Sequence, residues 1–164
     1  MLRLRYAVAI ALAGSLLLGC RSGRSVLTIR EIPNYDTRSP DHILFLHFRV
    51  AGKPGGNESV ALVSARAANG RMKELYRPVE FPVQIKAMPR YATREGEREM
   101  FFEHPLYHAA EVSDPSGHIR REEVRTSEGN LLIRMPLHAG LNELELFSVT
   151  PEKGPVRIYT LSFN

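Results

Sequence analysis

Hydrophobic and polar residues alternate along much of this chain, and the period is two. Residues 43–50 give the clearest case. Leu44, Leu46, Phe48 and Val50 fall on one face, while Ile43, Phe45, His47 and Arg49 fall on the other. The same reading predicts strands over 26–32, 60–68, 83–86, 100–103, 107–112, 118–126, 131–137, 142–149 and 156–163, although the alanines of 60–68 would also suit a helix. Turn signals punctuate these runs: Lys53-Pro54-Gly55-Gly56-Asn57, Asn69-Gly70, Asp114-Pro115-Ser116-Gly117, Ser127-Glu128-Gly129-Asn130 and Pro151-Glu152-Lys153-Gly154-Pro155. Pro78, Pro82 and Pro89 bracket 83–86. Proline has no N–H for a central ladder, so this segment is expected at a sheet edge or a bulge. The run 118–126 is charged on both faces and is expected to be exposed. Short strands separated by a turn every 8–12 residues or so predict an all-β protein with a single antiparallel β-sandwich, a barrel being the other arrangement.

The N-terminus does not follow this alternation. Residues 1–5 carry Arg3 and Arg5, and residues 7–18 are almost wholly apolar. This is the layout of a secretory signal. The apolar run is too short for the roughly 20 residues that a membrane-spanning helix needs. It ends in Leu17-Leu18-Gly19-Cys20, which contains the single cysteine of the chain.

Those four residues resemble the lipobox of bacterial lipoproteins. The resemblance implies that Leu17, Leu18 and Gly19 are read by a signal peptidase and that residues 1–19 are removed. Cys20 would then carry the lipid, with a further acyl chain such as palmitate on the new amino terminus. Two or more chains hold a protein stably at a membrane, whereas one binds reversibly. Residues 20–25 are then the lipidated cysteine and a short tether, and 26–164 the β-sandwich domain. Five extended residues reach at most about 17 Å, so the domain is expected close to the membrane. Arg21 and Arg24 could add a weak attraction to anionic head groups. In Gram-negative lipoproteins an aspartate after the cysteine often signals inner-membrane retention. Arg21 stands there in this chain, so the resemblance favours the outer membrane, on its periplasmic side or at the cell surface.

A second resemblance lies near the C-terminus. Residues 136–146 contain Gly140-Leu141-Asn142-Glu143-Leu144-Glu145-Leu146. This resembles the Gly-x-Asn-x-apolar-x-apolar entry to a late strand of extracellular immunoglobulin-like modules. The sandwich is therefore expected to be immunoglobulin-like.

Composition narrows the function classes. The 164 residues carry a net charge of +4, and with Arg3 and Arg5 removed 20 basic against 18 acidic residues leave +2. Acids and bases are interspersed, as in Arg94-Glu95-Gly96-Glu97-Arg98 and Arg120-Arg121-Glu122-Glu123. A nucleic-acid binder would cluster its cations on one face, so nucleic acid is not expected as a partner. With one cysteine there is no intrachain disulfide, and a hydrophobic content of 43% suffices for one core.

Catalytic signatures are sparse. There is no Gly-x-Ser-x-Gly elbow, and Gly55-Gly56 lacks the Lys-Ser/Thr of a phosphate loop. Ser64, Ser113 and Ser148 have no base nearby in sequence, though a triad can assemble from distant positions. Glu122, Glu123 and Glu128 could pair as acid and base, but a charged edge strand explains them better. His104 and His108 stand four apart beside Glu103 and Glu111, a zinc spacing if the segment were helical. Pro105 biases His104 to an extended conformation, so surface histidines on a Pro-kinked strand are expected, with no metal and no cofactor. His47, on the outer face of its strand, is expected to be partly exposed.

Loop aromatics remain as candidate contacts. Tyr91, Phe101 and Tyr107 are the chosen residues for a ligand or partner, with Tyr35, Tyr76, Phe81 and Phe102 in similar settings. Phe101 and Phe102 should point to opposite faces of a strand, one of them into the core. The sequence therefore leads to a non-enzymatic, membrane-anchored envelope lipoprotein. Its role would be that of an accessory, assembly or protein-interaction subunit with an envelope protein as partner. A glycan- or other ligand-binding module is the alternative, and a metal-dependent enzyme using His104, His108 and Glu111 comes third.

Overall fold

The computed structural model describes residues 23–73, 81–93, 97–113 and 116–164. Among these the protein is all-β, with ten strands and one short 3₁₀ turn, Ile29–Glu31. The strands are β1 (Gly23–Leu27), β2 (His42–Gly52), β3 (Glu58–Asn69), β4 (Gln84–Tyr91) and β5 (Met100–Glu103), then β6 (Tyr107–Ser113), β7 (Ile119–Arg125), β8 (Glu128–Leu137), β9 (Leu141–Thr150) and β10 (Gly154–Phe163). A five-stranded sheet in the order β1-β10-β9-β4-β5 packs on a three-stranded sheet in the order β3-β2-β8, and β6 and β7 form a separate hairpin.

Alternation explains the packing. Leu44, Leu46, Phe48 and Val50 of β2 are buried, as are Leu131, Ile133 and Met135 of the neighbouring β8. Facing them from the larger sheet are Ile85 and Ala87, Leu144 and Leu146, and Leu161. Phe48 meets the Tyr159 ring edge-on, with centroids 5.6 Å apart, so the two sheets interlock at their centres. Burying one such aliphatic or aromatic side chain contributes on the order of 1.5–3 kcal/mol.

The expected sandwich is present, with adjustments at particular places. One pairing is parallel: β1 runs alongside β10, from Gly23 opposite Tyr159 to Leu27 opposite Phe163. This draws Gly23, Arg24 and Ser25, read from sequence as tether, into the sheet. The expected strand 26–32 instead ends at Leu27 and gives way to the 3₁₀ turn. Gly23 fits because a Cβ there would sit 2.9 Å from the Tyr159 ring and 3.3 Å from the Val60 carbonyl oxygen.

The helical alternative for 60–68 is displaced by β3, which pairs with β2 over its whole length. Nor is the segment around 83–86 an edge, since β4 lies between β9 and β5 and runs on through Pro89. Strand β5 covers only Gln84 to Ala87, so the missing N–H of Pro89 falls beyond its end and breaks no ladder there. Glu128, Gly129 and Asn130, read as a turn, already belong to β8 and pair with β2.

The turn at 53–57 forms as expected, with Gly55 and Gly56 at φ 84° and 76°, conformations that favour glycine. Of the expected turn at 114–117, Asp114 and Pro115 lie outside the described residues, and Gly117 has φ 84°.

Candidate functional site

The most distinctive polar arrangement lies inside the sandwich. Glu58 opens β3 at the end of the glycine turn, and Ser148 continues the inward-facing series Leu144, Leu146 on β9. His104 sits in the crossing from β5 to the hairpin and is fully buried. Its Nε2 lies 3.2 Å from Ser148 Oγ and 3.2 Å from Glu58 Oε1, and Ser148 Oγ donates to the same Glu58 oxygen at 3.2 Å. The Tyr107 ring closes the pocket edge-on, with centroids 4.9 Å apart.

The remaining imidazole nitrogen decides what this triangle can do. The Leu106 backbone N–H donates to Nδ1 at 3.2 Å, so Nδ1 is an acceptor and the ring proton belongs on Nε2. An Nε2 that carries a proton has no lone pair for a metal ion. It cannot take the Ser148 proton either, which a serine–histidine nucleophile requires. The triangle is a clasp built as a relay: His104 Nε2–H donates to Ser148 Oγ, and the Ser148 hydroxyl donates to Glu58 Oε1. The other oxygen, Glu58 Oε2, is buried with no protein partner.

This clasp ties the smaller sheet (Glu58) to the larger sheet (Ser148) and to the base of the hairpin. The hairpin is fastened nearby. Thr126 N–H donates to the Leu106 carbonyl at 3.0 Å, and Gly52 N–H donates to the Ser127 carbonyl at 2.9 Å. Gly129 must be glycine, since a Cβ there would come within 2.2 Å of the Pro105 carbonyl oxygen.

His104 is therefore not the surface histidine expected from sequence. Pro105 and Leu106 form a turn closed by the Tyr107 N–H donating to the His104 carbonyl at 3.0 Å, and the buried Leu106 holds the segment in the core. His108 lines one pocket with His104, but Glu111, three residues on along β6, points to the opposite face. Among the described residues no group of three or more His, Cys, Asp or Glu side chains converges as metal ligands. His47, half-buried as expected, bonds Asn130 Oδ1 through Nε2 at 2.9 Å.

The aromatics chosen from sequence are not brought together. Tyr91 ends β4, packs against the core and approaches the His138 ring at 6.2 Å. Burial pushes its hydroxyl pKa up. Phe101 lies opposite Lys86, five residues earlier on β4, which is about 17 Å along the strand from Tyr91. Phe102 packs on the core, so the pair splits between faces as expected. Tyr107 is committed to His104 on one side, and on the other the Arg125 guanidinium sits 5.2 Å from its ring centroid. Leu17, Leu18, Gly19, Cys20 and Tyr76 lie outside the described residues.

The two outer faces of the sandwich differ in charge chemistry. On the larger sheet, Glu145 is held between Arg157 at 2.7 Å and Arg90 at 2.8 Å, and Arg90 also reaches Glu97 at 3.2 Å. Burial alone would raise the Glu145 carboxyl pKa, but hydrogen bonds and charge from Arg157 and Arg90 outweigh it and lower it overall. Lys86 pairs with Glu99 and Arg24 with Glu143 on the same sheet. On the smaller sheet, Arg66 and Arg134 flank Phe45 in register and Arg49 follows on β2. No side-chain ion pair or hydrogen bond involves these three arginines among the described residues. Leu132 (69% exposed), Val63 (46%) and Phe45 (41%) stand among them.

Sequence reasoning named Ser148 and His104 without joining them, and it missed Glu58. Their separations of 44 and 90 residues leave no local signal. The cationic face was readable in part from the outward series Phe45, His47, Arg49, but its partners on β3 and β8 required the register.

Compared with known protein families, curated proteins and solved structures, the chain matches none.

Proposed function

We propose that this chain is a lipoprotein of the bacterial envelope, anchored through lipid on Cys20, whose β-sandwich acts as a non-catalytic accessory or assembly subunit. The observation that carries this reading is the sequence Leu17-Leu18-Gly19-Cys20, followed after only Arg21 and Ser22 by the first residue of β1. Three residue steps from Cys20 to Gly23 reach about 11 Å at most, so an anchored domain sits against its membrane. Arg21 favours the outer membrane as the destination. The resemblance of 136–146 to immunoglobulin-like modules supports an interaction domain, as do the outer strands β1, β5, β3 and β8, whose edges can accept a strand from a partner.

Radiolabelled palmitate and membrane fractionation test the anchor. The wild-type chain takes up label and sediments with outer membranes, while Cys20→Ser does neither. An unlabelled wild-type chain would falsify the anchor. In-cell cross-linking of the anchored chain tests the subunit role, with one dominant envelope protein as the expected product. A repeated blank overturns that role.

A further inference from the structure

We propose that the outer face of the three-stranded sheet is a membrane-docking surface that lies on phospholipid head groups beside the lipid anchor. The inference rests on the anchor reading above and adds which side of the domain meets the bilayer.

The chain enters the fold at Gly23, within contact distance of the Val60 carbonyl on β3. Strand β3 is an outer strand of the smaller sheet, so the tether leaves at the border of that sheet. With a reach of about 11 Å, some surface next to this border must face the bilayer.

The two large faces are unequal candidates. On the larger sheet the cations Arg24, Lys86, Arg90 and Arg157 are already matched by carboxylates. Lipid phosphates would gain little there and would have to break existing pairs. On the smaller sheet Arg49, Arg66 and Arg134 are exposed and unpaired among the described residues. Of the outward positions on its three strands, the one carboxylate, Glu128, lies opposite Ala51 at the far end. Phe45, Val63 and Leu132 stand out between the arginines. Guanidinium groups ringing exposed apolar side chains suit the boundary between head groups and acyl chains. There phosphate oxygens accept hydrogen bonds and the apolar tips leave water. A patch of this kind on a monomer marks an interaction surface.

The test separates this surface from the anchor. Every core residue lies between Ile32 and Phe163, so the mature chain carrying Cys20→Ser keeps the fold without its lipid. That chain is expected to co-sediment with phosphatidylglycerol/phosphatidylethanolamine vesicles, and raised salt should release it. Each arginine near an anionic surface is worth about fivefold, so R49Q/R66Q/R134Q should weaken binding on the order of a hundredfold. The control R38Q/R71Q/R120Q removes equal charge from exposed ion pairs elsewhere. It should weaken binding far less. Leu132→Ser should also weaken binding, and a circular dichroism melt of each variant excludes unfolding. Equal binding by the triple variant and wild type overturns the proposal, as does capture by soluble polyglutamate with no capture by vesicles. The intact mass of the chain extracted from membranes reports the anchor separately. An unlipidated Cys20 there overturns the anchor and leaves the vesicle result standing.

Discussion

Two carboxylates in this protein are almost equally shielded and are treated in opposite ways. The Glu58 side chain is 9% exposed and the Glu145 side chain 10%. Glu145 lies on the outer face of the larger sheet and offers one oxygen to each of two arginines. Glu58 lies between the sheets, where Ser148, itself bonded to His104, donates to one oxygen and the other has no protein partner. Burial therefore does not fix the environment of a charge; the number of donors on each oxygen does. Glu145 is neutralised by two partly exposed arginines on the outer face of the sheet, where the gain is modest. Glu58 is held by groups fixed in the core, where removing one partner strands the rest.

The largest test of this contrast is His104→Ala, which leaves the Glu58 carboxylate buried with Ser148 alone. It should cost roughly 2–4 kcal/mol in urea unfolding. A loss below that of Glu145→Ala would overturn the ranking. Gly129→Ala acts on the clasp indirectly, by driving Pro105 and so His104 out of place. It should cost about 2 kcal/mol, as overpacking against backbone does. Glu145→Ala is expected to cost about 1 kcal/mol at neutral pH, because both arginines stay hydrated without it.

The Glu145 loss should also depend on pH. The folded carboxyl titrates below its ordinary value of 4.5. Its stabilisation is therefore complete above that value and disappears as pH falls through the folded value. Melting curves of wild type and Glu145→Ala should converge in acid and separate above pH 4.5. The smallest effect belongs to Glu58→Gln. It keeps an acceptor for the Ser148 hydroxyl and removes the charge, so stability should stay within about 1 kcal/mol of wild type.

Much of the sandwich was legible because its signal is local. The phase of β2 could be read from eight residues, and the turn at 53–57 from its glycines. The split of Phe101 and Phe102 followed from period two alone. What escaped depends on partners distant in sequence. The strand character of Gly23 to Ser25 comes from β10, more than a hundred residues later. Pro89 is tolerated in β4 only because β5 stops at Met100, opposite Ala87. His104 looked like a surface residue because nothing near it in the chain announces Glu58 or Ser148. The fold was legible to the extent that alternation sets it. The clasp was not, because it is a property of register.

The parallel pairing of β1 with β10 has a mechanical meaning. Tension applied at the N-terminus runs along the axis of β1. The five residues paired with Tyr159 to Phe163 then share the load together and do not peel away one at a time. The Ser25 hydroxyl, bonded to that of Tyr159, adds a side-chain rivet to the same seam. A chain pulled from this end resists in shear, the stiffest direction a strand has, so its first strand is also its strain relief.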